Sequence, residues 1–313
     1  MTAPLLDVTD LRVTYPGRGL RARPHQVLHE VSVQVHEGET LGIVGESGSG
    51  KTTLGRAVLG LVTPGGGRVR FRGRDITHAS RKERRTLAQD IQAVFQDPYG
   101  SLNPSLTIDD ILSEPLVVRG ATTHDARARV RGLLDQVGLP RDAGRRLPHE
   151  FSGGQRQRVA IARALAPEPK LIVCDEPVSA LDLTTQARVL DLFVDIQRRT
   201  SVAYLFISHD LAVIRHVSHR VSVMQGGGLV ETGPAGQVTS APRHPYTRRL
   251  LFAAPVADPV EQRRRREERH RLMAREPVEG EAVQPHTARL PSRSSPRSHQ
   301  FSDKEGGNDP SCP

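Results

Sequence analysis

Apolar positions along the chain follow two periods. Residues 5–14 (LLDVTDLRVT) and 27–35 (VLHEVSVQV) largely alternate apolar with polar, which predicts half-buried strands of an antiparallel sheet. A further short strand is expected at 68–71 (RVRF). Leu41, Ile43 and Val44, the run 171–174 (LIVC) and the run 202–207 (VAYLFI) are continuously apolar, as strands buried on both faces are. Between them the period lengthens. Thr107 to Val137 reads as helical, with Ala126, Val130, Leu133, Leu134 and Val137 on one face, and TTQARVLDLFVDIQRR (184–199) reads as another helix. Strands alternating with helices predict an α/β fold: a mostly parallel sheet core flanked by helices, with antiparallel strands before it.

After about Pro255 the pattern stops. Residues 256–313 have too few apolar side chains for a core and are expected to be a charged, largely disordered tail, leaving 1–255 as the folded domain. No run reaches eighteen apolar residues, and the N-terminus lacks a basic stretch followed by an apolar one, so neither a membrane span nor a secretory signal is expected. The formal charge of +9 comes from arginine, only four lysines being present, and aromatics make up 4%. Because the basic residues are spread along the chain, nucleic-acid binding is not expected. Anionic headgroups or an acidic partner suit such a surface better. The two cysteines, Cys174 and Cys312, suggest no disulfide framework and fit a reducing compartment.

Chemistry enters at residues 45–53, GESGSGKTT, between the strand ending at Val44 and a helical stretch. Gly45, Gly50, Lys51 and Thr52 satisfy G-x-x-x-x-G-K-[ST]. In such a loop the backbone N–H groups of Glu46, Ser47, Gly48, Ser49 and Thr53 and their neighbours turn toward phosphate oxygens, and the helix N-terminus adds partial positive charge. Lys51 can reach the outer phosphates of ATP and Thr52 can ligate Mg²⁺. A second element, LIVCDE (171–176), is a strand ending in two carboxylates. Beside a phosphate loop, Asp175 suits the Mg²⁺ shell and Glu176 suits a base acting on the attacking water. A third, FSGGQRQRVAIARAL (151–165), opens a helix with a serine cap and two glycines.

Ser152-Gly153-Gly154-Gln155 resembles the signature motif of ABC-type ATPases, with Phe151 where leucine is commonest. Other family elements stand in order. Gln96, in AVFQDP, is similar to the Q-loop glutamine that senses Mg²⁺ and the γ-phosphate. Ser179-Ala180-Leu181-Asp182 resembles the D-loop, His209 the switch histidine, and Tyr15 the aromatic that stacks on adenine. The resemblance implies a P-loop NTPase fold of ABC type, with an antiparallel β subdomain and a helical subdomain at about 97–165 that carries the signature motif, and with Glu176, His209 and Gln96 as catalytic residues. It also implies Thr52, Gln96 and Asp175 around Mg²⁺, and Ser152–Gln155 facing the nucleotide of a second ATPase subunit across a head-to-tail dimer.

FQDPYGSLNP (95–104) and RHPYTRRLLFAAP (243–255) are similar to segments of ATP-binding subunits from oligopeptide, dipeptide and nickel importers. That implies integral-membrane permease subunits as partners, docked between Gln96 and Phe151, with an extracytoplasmic binding protein acting indirectly. The second ATPase is either the same chain or a paralogue, at the cytoplasmic side of the membrane. Some members carry a C-terminal cysteine cluster, but this tail has only Cys312, so no iron–sulfur cluster is expected. An accessory ATPase of a soluble complex, as in phosphonate breakdown, is the alternative. Repair ATPases would need a longer insertion between the loop and the signature, and translation ATPases a second P-loop.

Overall fold

The computed structural model describes residues 3–17 and 23–253. Its strands form two sheets. The smaller is antiparallel, built from β1 (Leu6–Tyr15), β2 (His25–Val35), β4 (Gly66–Phe71) and β5 (Arg74–Asp75) in the order β2-β1-β4-β5. The larger contains β3 (Thr40–Val44), β6 (Ile91–Phe95), β7 (Leu171–Asp175), β8 (Ala203–Ser208), β9 (Arg220–Gln225) and β10 (Gly228–Pro234), in the order β10-β9-β3-β8-β7-β6. All of its pairings are parallel except β10 with β9.

Alternation of side chains explains why the central strands read as continuous apolar runs. Leu171 and Val173 of β7, Leu205 and Ile207 of β8, and Leu41 and Ile43 of β3 face one core. That core is shared with Leu54, Ala57 and Val58 of the helix Lys51–Val58 and with Leu6, Val8, Leu11 and Val13 of β1. Ile172, Cys174, Tyr204 and Phe206 face the other core, shared with the helices Gly153–Leu165 and Leu183–Thr200. Phe193 on the latter helix meets the rings of Tyr204 and Phe206 edge-on, with centroids 5.5 and 5.4 Å apart. A strand covered on both faces has no polar side to alternate with.

Helix starts follow local chemistry. Thr107, Thr122 and Asp182 cap their helices by accepting the N–H of Asp110, Asp125 and Thr185. The stretch 107–137, which periodicity reads as one helical region, is two helices, Ile108–Val118 and Thr123–Gln136. Gly120, in the left-handed region at φ 92°, breaks them and Thr122 restarts the second. Arg84 was not anticipated. It is bonded to Val58 O at the end of the phosphate-loop helix (3.2 Å) and to Ile76 O (2.5 Å), and so joins the loop's helix to the antiparallel sheet.

Among the described residues, no helix is long and apolar enough to cross a membrane. The expectations for residues 256–313, including Cys312, lie outside the described residues. Cys174 is buried and free.

Candidate nucleotide site

Register in the parallel sheet brings the candidate residues to one edge. Val44 pairs with Ser208, Ile207 with Asp175, and Asp175 with Phe95. The residues following these strand ends are Gly45, His209, Glu176 and Gln96. They are up to 164 positions apart in sequence, Gly45 to His209, yet they emerge together at the carboxyl edge of the sheet, where open α/β folds bind ligands.

The loop itself is tightly built. A Cβ on Gly45 would lie 2.2 Å from Met224 O, and Gly50, which caps the helix, has φ 103°. Neither position tolerates a side chain. Ser49 is 5% exposed, and its hydroxyl has no partner among the described residues. Buried hydroxyls are rarely left so, and an anion in the loop would supply the acceptor.

Lys51 is 4% exposed and donates to Gly45 O and Glu46 O, both at 2.8 Å. Burial pulls its ammonium below the ordinary lysine value, opposed by the charges of Glu176, Asp175 and Glu46. The Thr52 hydroxyl donates to Asp175 Oδ1 at 3.0 Å. Burial pushes the Asp175 carboxyl above its usual range and Glu176 adds to the rise, while the Thr52 hydrogen bond opposes it. A hydroxyl and a buried carboxylate form a hard-oxygen pair of the kind Mg²⁺ takes, so the residues fit that ion.

Glu176 has φ 50°, a strained backbone for a residue with a Cβ. It is held by Glu176 N–H donating to Ile207 O and by Ser179, whose hydroxyl donates to Glu176 O at 3.0 Å. Its Oε2 lies 3.1 Å from Nδ1 of His209. Gln96 is exposed at the end of β6. Tyr15 is half-buried at the end of β1, its hydroxyl 3.5 Å from Thr53 Oγ1.

Ser152, Gly153, Gly154 and Gln155 stand apart from this group. Ser152 Oγ accepts from Gln155 N–H (3.4 Å) and Gln155 Oε1 accepts from Ser152 N–H (3.0 Å), a reciprocal capping box. Among the described residues no hydrogen bond ties them to the phosphate loop. Gly154 has a further reason to be glycine: a Cβ there would lie 2.2 Å from Thr185 Cγ2 of the same chain, whereas one on Gly153 would meet only Leu181 at 3.5 Å. Met224, Gly227 (whose N–H donates to Ser49 O at 3.1 Å) and Tyr246 also support the loop. Sequence reading missed all three. Only Tyr246 left a signal, inside the HPYT segment.

A glycine loop, a lysine, a carboxylate pair at one strand end with a histidine at the next, and a detached capped glycine motif together define a nucleotide-binding cassette. Residues 28–179 match the family model "ABC transporter" and 230–280 match "Oligopeptide/dipeptide transporter, C-terminal region". The chain carries an ABC transporter ATPase domain followed by the C-terminal region of the oligopeptide/dipeptide transporter group.

It is 51% identical over 268 residues to proteins named "Glutathione import ATP-binding protein GsiA" from Escherichia coli and from Shigella boydii, covering 84% of this chain and 43% of theirs. The chain thus spans less than half the length of these curated relatives. Among solved structures it is similar to cbiO1 from Clostridium perfringens, part of the ABC transporter complex cbiONQ. The TM-score is 0.70 at 28% identity, covering 77% of this chain and 92% of that one. It is also similar to the ATP-binding cassette MJ0796 in a dimeric post-hydrolysis state with ADP and Pi (TM-score 0.65, 28% identity, 74% and 98% covered).

Proposed function

We propose that the chain binds and hydrolyses ATP to power an importer of small peptides. The observation that carries this reading is the pairing of Thr52 with Asp175 and of His209 with Glu176 at neighbouring strand ends, in a chain whose 230–280 region matches the peptide-transporter model. The loop amides, Ser49 and Lys51 hold the phosphates, and Tyr15 stacks on the base. Glu176 takes the proton of the attacking water, and His209 steadies its carboxylate. Thr52 and Asp175, with Gln96 beside them, would hold Mg²⁺, which supplies neutralisation of phosphate charge when bound. Ser152–Gln155, unattached to its own loop, serves the nucleotide of a second ATPase subunit. One solved relative is itself described as dimeric with ADP and Pi.

Permease docking falls to a groove of about 820 Å³ between β6 and the helices Ile108–Val118 and Gly153–Leu165. Phe95 (38% exposed) and Val118 (75% exposed) present apolar surface there, beside Arg85, Arg119 and Arg163. The test is purification of the tagged chain from solubilised membranes. Co-purifying permease subunits support import, and a soluble enzyme complex in their place overturns it. The importer proteins named above suggest peptides of glutathione's size as the first cargo to try.

A further inference from the structure

We infer that Tyr246 of the HPYT segment is a positioning residue for the phosphate loop, its hydroxyl accepting the Glu46 N–H at 3.0 Å. The inference rests on the nucleotide reading above. The Gly45 C=O and the Glu46 N–H belong to one planar peptide unit and point to opposite sides of it. Lys51 holds the oxygen edge at 2.8 Å, and Tyr246 holds the nitrogen edge. The first peptide of the loop is therefore clamped from two sides by side chains nearly two hundred residues apart in sequence.

The tyrosine is itself well anchored. It is 2% exposed, and burial raises its phenol above the ordinary value, keeping it neutral. The turn before it is tied to β10, where Arg243 N–H and His244 N–H donate to the Glu231 carboxylate at 2.8 and 3.1 Å. Tyr246 N–H donates in turn to His244 Nδ1 at 3.2 Å. When Lys51 turns to phosphate oxygens it leaves the Gly45 carbonyl, and Tyr246 becomes the remaining side-chain tether on that peptide. Its contribution should therefore be largest with nucleotide bound.

The test compares the full chain with its Tyr246→Phe variant, which keeps the buried ring. Expected are a roughly three- to tenfold higher Kd for Mg-ATP, faster exchange of the Glu46 amide hydrogen, and a nucleotide-free Tm within about 2 °C of wild type. A residue that only fills space keeps its ring in this variant and would leave Kd and that amide unchanged, which would overturn the inference. If the wild-type chain itself fails to bind Mg-ATP, the nucleotide reading fails. The Glu46 amide then still decides whether Tyr246 holds the loop.

Discussion

Asp175 and Glu176 are neighbours in sequence with separate partners, a threonine hydroxyl for one and a histidine ring for the other. Glu176→Gln keeps the shape and removes the base, so ATP turnover should fall by about 10²–10⁴ while nucleotide binding survives. Near-normal hydrolysis by the purified variant would remove Glu176 from that role. Lys51→Ala should instead lose nucleotide affinity along with rate. Asp175 offers a test through stability. Its carboxyl is raised above the ordinary range, chiefly by burial, so the folded chain holds that proton more tightly than the unfolded chain does. Stability is lost as pH rises through that range. Asp175→Asn, which can still accept from Thr52, should therefore melt at or above the wild-type temperature at neutral pH. The difference should close at acid pH, and thermal stabilisation by Mg²⁺ with ATP should shrink. A variant that melts lower at neutral pH and gains as the pH falls would reverse the sign and refute the argument.

At the scale of an element, the signature helix Gly153–Leu165 combines two constraints that its sequence shows as one. Gly154 packs against Thr185 of its own chain, and Gly153 has room. Gly154→Ala should destabilise the isolated chain by about 1–3 kcal/mol, with no nucleotide involved. Gly153→Asp should leave folding and single-chain ATP binding intact, but place a carboxylate where the proposed shared site would receive a second subunit's phosphate. In a Glu176→Gln background, which should trap an ATP-bound dimer, adding Gly153→Asp should return the protein to monomer. Size-exclusion chromatography with and without Mg-ATP, with the paralogue present if pairing requires it, separates the outcomes. A double variant that still dimerises would sink the shared-site reading.

For the molecule as a whole, every candidate site residue and Tyr246 precede residue 253, although the peptide-transporter match runs on to 280. A chain ending at Pro255 should hydrolyse ATP at a rate similar to the full chain's, and aggregation or loss of turnover would show that later residues support the domain. Much of this was legible in sequence. Residues 45–53 and 171–176 carry local chemistry, and glycine backbone freedom and paired carboxylates are properties of residue types at short spacing. The strands at 171–174 and 202–207 were readable because burial on both faces demands unbroken apolar runs. Three things were settled by tertiary structure alone. Strand order and register place Gly45, Gln96, Glu176 and His209 at one edge. Gly154 is held by Thr185, thirty-one residues away. The peptide at Gly45–Glu46 is gripped by Tyr246. Each is a contact across long sequence separation, set by how strands pair and helices pack, and no local period or motif encodes it.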